Sequence, residues 1–232
     1  MKKLTDSIPG EKLLGLQIDL NEKLRKGNLS LEELSLFLQR KNPFEKVTSA
    51  SDFLADWTSF YKKHFNLKVD FSEIKIPEKP TEGKWRLLFI AKGLTNNKVY
   101  DACKRKFPCD KYTDMTLDEV VLKNNRDPKD GSYAIWVRDV VEADEIYKNK
   151  SANQLAKDGI KGITLLERML LELKFFAETE KHLDINNWTL CSGSCYVDDL
   201  VPDAYWGGDW FRVGWYRSDC STEFLRCREV VS

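Results

Sequence analysis

Residues 164–179 constrain the fold more than any other stretch of the chain. Leu165, Leu166, Met169, Leu170, Leu173 and Phe176 recur at spacings of three and four, so a helix gathers them into one apolar stripe. Thr164 and Glu167 form a capping box at its start, each side chain meeting a backbone N–H of the other. Such a stripe needs a sheet to cover it, and strand-like runs lie on both sides. Residues 85–91 and 133–137 precede it, and residues 188–191, 211–216 and 224–231 follow. A further helix is expected over residues 95–107, while residues 117–121 suit helix or strand equally. His182, just past the long helix, is placed to tie down that helix's C-terminus. The order of elements fits an α+β domain with a β-rich C-terminus better than alternating βαβ units.

The first 65 or so residues read as helical. Leu13, Leu14, Leu16, Ile18, Leu20 and Leu24 follow helical spacing in part, and Gly27-Asn28 supplies a stop. Ser30 with Glu33 is a second capping box, opening a helix through Leu38 that Asn42-Pro43 ends. Ser51-Asp52 is placed to cap a third helix carrying Phe53, Leu54, Trp57, Phe60, Tyr61 and His64, with His64 a packing residue. Pro77, Pro80 and Gly83 mark a linker or extended arm. The expected organisation is a small helical N-terminal region with linker over residues 1–80 and a ligand-binding domain over residues 81–232.

Composition excludes several classes. Apolar residues at 42% are enough for a core, which rules out wholesale disorder. With 37 basic and 37 acidic side chains, bulk electrostatic binding of nucleic acid is not expected. The short run Lys104-Arg105-Lys106 reads as a solvated helix face. No apolar run reaches the roughly 18–20 residues of a membrane span, and no apolar segment follows Met1-Lys2-Lys3, so a cytoplasmic location is expected. Cys103, Cys109, Cys191, Cys195, Cys220 and Cys227 lack the tight two-residue knuckles of zinc sites and read as reduced thiols. No cofactor or metal is expected. Histidine occurs only at His64 and His182, so no Ser-His-Asp set or His-activated thiolate is apparent.

The tail changes vocabulary. Lys, Glu, Gln and Met make up 49 of the 232 residues, yet none occurs over residues 195–222. Chance would produce this on the order of once in several hundred such windows. Aromatics crowd the same stretch: Tyr196, Tyr205, Trp206, Trp210, Phe211, Trp215 and Tyr216, with Trp188 just before it. Asp198, Asp199, Asp203, Asp209, Arg212, Arg217 and Asp219 are interleaved with them. Rigid rings, arginine and small polar residues are the side chains of a paratope. A strand over residues 211–216 places Arg212, Gly214 and Tyr216 on one face and Phe211, Val213 and Trp215 on the other. Trp188, Phe211 and Phe224 are expected to belong to the core.

Leu190-Cys191-Ser192-Gly193-Ser194, some thirty changeable-looking residues, and then Leu225-Arg226-Cys227-Arg228-Glu229-Val230-Val231 form a pattern. It resembles the end of C-type-lectin-like domains related to formylglycine-generating enzymes. Within that group it is most similar to the variable proteins of diversity-generating retroelements. There, adenine-directed mutagenesis of Asn-type codons never yields Lys, Glu, Gln or Met. Trp206, Trp210 and Trp215 alone in residues 195–222 depart from that alphabet and would be fixed scaffold positions. The pattern departs from the family's in lacking one glycine and the tryptophan of the Gly-Gly-Ser-Trp-like strand, and Leu-Arg-Cys-Arg stands for Gly-Phe-Arg.

The resemblance implies a C-type-lectin-like domain and a binding or display protein that is not an enzyme. Tyr196, Asp198, Asp203, Tyr205, Asp209, Arg212, Tyr216, Arg217 and Asp219 would face a protein or other macromolecular ligand. The competing reading is an oxidase or redox enzyme using Cys191 and Cys195. A third is an assembly protein docking through its N-terminal helices.

Overall fold

The computed structural model describes residues 10–39 and 50–232. By packing, the chain divides into two units between Phe53 and Leu54. In the first unit, α1 (Gly10–Arg25) and α2 (Leu31–Leu38) are joined through Gly27, whose φ of +71° lets the chain leave α1. The capping box that opens α2 forms: Ser30 N donates to Glu33 Oε2 at 2.7 Å, and Glu33 N donates to Ser30 Oγ at 3.1 Å. The stop expected at Asn42-Pro43 lies outside the described residues.

Ala50 begins α3 (Ala50–Phe65), so Ser51 and Asp52 fall inside the first turn and do not precede it as a cap. From Leu54 onward this helix belongs to the second unit, which therefore starts well before residue 81. Apolar burial is the reason. Trp57, Phe60 and Tyr61 are buried, and the Tyr61 hydroxyl donates to the carbonyl of Phe89 at 2.7 Å. Phe71, just before the arm marked by Pro77, Pro80 and Gly83, stacks on Phe89 at 5.2 Å and closes the same cluster. His64 packs against Phe60 with ring centroids 4.6 Å apart. Burial first, and the neighbouring lysines and Arg105 second, push its pKa down to about 4, so it is an uncharged packing group.

The second unit is mixed α+β. β1 (Trp85–Ile90) leads to α4 (Asn96–Lys104), where Thr95 Oγ1 accepts from Lys98 N. Then come β2 (Cys109–Lys111), α5 (Leu117–Val120) and β3 (Val121–Asn124). The ambiguous segment 117–121 is thus one helical turn running straight into a strand. β4 (Tyr133–Arg138), α6 (Ala152–Lys157) and α7 (Leu165–Thr179) follow. The tail supplies β5 (Trp188–Leu190), β6 (Ser194–Tyr196), β7 (Leu200–Gly207), β8 (Trp210–Arg217), β9 (Leu225–Arg226) and β10 (Val230–Val231). Among the described residues these strands form three sheets, in the orders β1-β4-β10, β2-β8-β7-β5-β9 and β3-β6. In the five-stranded sheet β2 runs parallel to β8 and β9 parallel to β5, while β5-β7 and β7-β8 are antiparallel.

The capping box of α7 forms as expected, with Thr164 N donating to Glu167 Oε2 at 2.8 Å. Every side chain from Leu165 to Lys174 is buried, so the helix lies inside the unit and does not merely rest on a sheet. Its polar face is therefore neutralised internally. Arg168 pairs with Glu172 and Asp184, both at 2.8 Å, and Arg228 donates to Asp184 at 2.6 Å and to the carbonyl of Val141 at 2.7 Å. Charges this deep are tolerated only when paired and hydrogen-bonded. His182 does not sit on the helix's last carbonyls. Its Nδ1 lies 2.9 Å from Glu172 Oε1, and its ring stacks on Trp206 and Phe176.

Candidate ligand-binding face

Two glycines decide where the tail begins. The turn Ser192-Gly193 crosses the chain at Gly162 so closely that a Cβ on Gly193 would meet the Gly162 carbonyl at 2.4 Å. Gly193 N donates to the carbonyl of Ile163 at 3.0 Å, and Ser194 Oγ accepts from Leu165 N at 2.9 Å. The segment 191–194 is thereby clamped onto the start of α7, and the strands that follow inherit that anchor.

The β7-β8 hairpin turns through Gly208 and Asp209, with φ of +60° and +63°. Two consecutive left-handed residues match the twist of the flanking strands, and glycine and aspartate reach that region more readily than bulky residues. The register then fixes the faces. Tyr205 lies opposite Arg212, Asp203 opposite Gly214 and Val201 opposite Tyr216, and these pairs share one face. Trp206 opposite Phe211, Ala204 opposite Val213 and Pro202 opposite Trp215 make the other. The alternation expected for residues 211–216 is the one observed.

On the inner face Phe211 is fully buried, and Phe107 contacts both Phe211 and Trp206 at 6.0 Å. Trp215 stacks on Tyr196 at 5.0 Å. On the other face the rings run together. Trp188 stacks on Tyr205 at 4.6 Å and lies 5.8 Å from Tyr216 and 5.9 Å from Phe224. Arg212 Nη1 donates to the hydroxyl of Tyr112 at 2.9 Å, and that hydroxyl is 3.5 Å from the Tyr205 hydroxyl. Leu190 and Val201, farther along this face, bury against Tyr147 and Leu155, with Trp188 and Tyr216 packed on the edge of that cluster. The exposed rings are thus the continuation of a core.

Asp203 sits at the seam between the core and the exposed rings. It is 2% exposed and, among the described residues, pairs with no cation, its own backbone N–H being the hydrogen-bond donor beside it. Its Oδ1 fills the space beside Gly214, where a Cβ would come within 2.9 Å of it and 3.3 Å of the Tyr112 ring. Burial pushes its pKa up to about 7.

The nine expected ligand-facing residues therefore divide. Tyr205, Arg212 and Tyr216 lie together on the ring-bearing face, with Asp203 at its base. Asp209 is exposed at the hairpin tip. Asp198, Arg217 and Asp219 cluster elsewhere, around a shallow depression of about 350 Å³ that Asp199 and Asn153 also line. There Arg217 grips Asp219 through two hydrogen bonds of 3.0 and 2.9 Å. Asp198 and Asp199 form a left-handed turn, with φ of +57° and +55°, and are not neighbours on a strand. Tyr196 does not face outward: it is 4% exposed and spends its ring on Trp215.

Phe224 is half exposed and stands beside Trp188, so it is a face residue and not a core one. Tyr112 was missed altogether, because it reaches the face from ninety residues away through the parallel pairing of β2 with β8. Of the three tryptophans outside the substitution alphabet, Trp206 and Trp215 are packed, while Trp210 is 45% exposed at the hairpin tip.

The cysteines make no pair. All six are free thiols. Cys191 is fully buried and its pKa is raised well above the ordinary thiol value by that burial; Cys195 is half buried. Among the described residues no group of three or more His, Cys, Asp or Glu is arranged to hold a metal ion, and no helix is long and apolar enough to cross a membrane. Lys104, Arg105 and Lys106 are exposed, as a solvated helix end should be. Compared with protein-family models, with curated proteins and with solved structures, the chain has no match.

Proposed function

We propose that this chain is a non-enzymatic binding protein, acting in the cytoplasm, whose C-terminal sheet presents a variable face to a macromolecular ligand. One observation carries the reading: the β7-β8 hairpin separates its two jobs by face. Phe211, Val213, Ala204 and Trp206 hold the inner side, while Tyr205, Arg212 and Tyr216 project from the other beside Trp188, Tyr112 and Phe224. Tyr205 and Arg212, at the end of this face away from the buried Leu190 and Val201, can change with little cost to the core, which is what a display surface requires. Aromatic rings and an arginine supported by packed neighbours supply affinity at low entropic cost.

The similarity of residues 190–231 to C-type-lectin-like variable proteins of diversity-generating retroelements is part of the same proposal. So is the C-type-lectin-like character of the domain. Sequencing the gene and its flanks in many cells of one population tests it. Differences clustered at codons for residues 195–222, templated by adenines in a nearby repeat, are expected. A stretch as constant as the rest of the gene would overturn the retroelement reading.

A further inference from the structure

The ring-bearing face holds one feature that stacking alone does not use: a buried carboxylate that no cation pairs with among the described residues. Elsewhere in this unit deep charges are matched; Asp184, fully buried, has Arg168 and Arg228 at 2.8 and 2.6 Å. Asp203, 2% exposed, has no such guanidinium among the described residues. The nearest candidate on its own face, Arg212, is engaged by the Tyr112 hydroxyl and reaches toward the hairpin tip, its Nη2 standing 3.5 Å from where a Cβ on Gly208 would be. The groups around Asp203 come from four elements. Tyr205 lies two residues along β7, Gly214 lies opposite on β8 with Arg212 and Tyr216 to either side, and Leu190 lies opposite on β5. Tyr112 follows β2, and Cys191 follows β5. Burial has raised the pKa values of Tyr205, Tyr216 and Cys191, so none of these three is an anion that would compete for a cation.

Building on the binding reading above, we infer that Asp203 and the rings of Trp188, Tyr205, Tyr216 and Tyr112 form a subsite for an organic cation, a basic side chain of the ligand. The carboxylate supplies the countercharge in a setting of low dielectric. The ring faces accept the cation and its alkyl stem, as aromatic cages do for ammonium groups. Glycine at 214 leaves room for the carboxylate and the Tyr112 ring, since a Cβ there would come within 2.9 Å of Oδ1 and 3.3 Å of that ring.

The test uses the full chain and small probes. n-Butylammonium stands for a lysine side chain and N-propylguanidinium for an arginine, with butyrate as the anionic control. Each is titrated while the Trp188 indole resonance is followed by NMR. Saturable binding of one or both cations is expected, with butyrate inert, and Asp203→Asn should weaken it about tenfold or more. Which cation binds tighter identifies the basic residue. In the unmodified protein, saturating probe should also lower the pKa of the Asp203 carboxyl, because a bound cation favours its charged form. That readout does not depend on the variant folding. The subsite falls if neither cation saturates, if butyrate binds as well, or if the Asp203 pKa does not move. Population sequencing answers separately, so the display reading can stand while the cation subsite fails.

Discussion

Asp203 sets the most testable consequence at the scale of one residue. Its folded pKa of about 7 lies above the ordinary carboxyl value of 3.8, so the folded state holds this proton more tightly than the unfolded chain does. Between these values the folded protein carries a proton that the unfolded chain has lost, and stability therefore falls as pH rises. The stabilisation is complete below about pH 4 and gone above about pH 7, an effect of about 4 kcal/mol at roughly 1.4 kcal/mol per unit. Asp203→Asn should remove this dependence and raise the melting temperature at pH 8, measured by thermal denaturation across pH. A variant with the same pH profile as the parent would show that Asp203 is not the titrating group. Gly193 makes a second prediction at this scale. A methyl group there collides with the Gly162 carbonyl, a backbone atom that cannot swing away. Gly193→Ala should cost about 1–3 kcal/mol or more, read as a lowered urea midpoint.

At the scale of elements, the hairpin tip and the central helix behave differently. The turn needs two left-handed residues, so Asp209→Gly should leave stability unchanged or raise it. Asp209→Val should lower it by about 1–2 kcal/mol, since a β-branched side chain pays the full cost of that backbone region. Equal melting temperatures for the two variants would mean that the turn rearranges. For α7 the apolar stripe and capping box were legible in the sequence, because periodicity and local hydrogen bonding are properties of neighbouring residues. Its buried polar face was not legible. Arg168 and Glu172 look like an ordinary exposed i, i+4 pair until Asp184 and Arg228 arrive from elsewhere in the chain. Asp184→Ala should cost about 3–5 kcal/mol, because it leaves two buried guanidinium groups short of their partner.

At the scale of the whole molecule, the hairpin's division of labour predicts an uneven tolerance map. Substitutions of Tyr205, Arg212 and Asp219 by serine should each shift stability by less than about 1 kcal/mol, whereas Phe211→Ala should cost about 3–5 kcal/mol. A stability screen of single variants across residues 195–222 reads this directly. Uniform sensitivity along the strand would count against a display surface.

What the sequence determined by itself was local. The capping boxes at Ser30 and Thr164, the α7 stripe, the strands expected over residues 85–91 and 133–137 and the alternation along residues 211–216 all follow from spacing within a few residues. The choice between helix and strand at residues 117–121 was beyond it, since a one-turn helix entering a strand satisfies both periodicities. Tertiary structure alone decided that Tyr196 turns inward, that Phe224 turns outward and that Tyr112 joins the face. It also decided that Asp203 lies buried with no cation beside it among the described residues. Each of these depends on which distant segment lies opposite: β2 beside β8, and Trp215 beneath Tyr196. Burial and pairing are set by neighbours in space, and a linear pattern carries the faces of a strand but not what those faces meet.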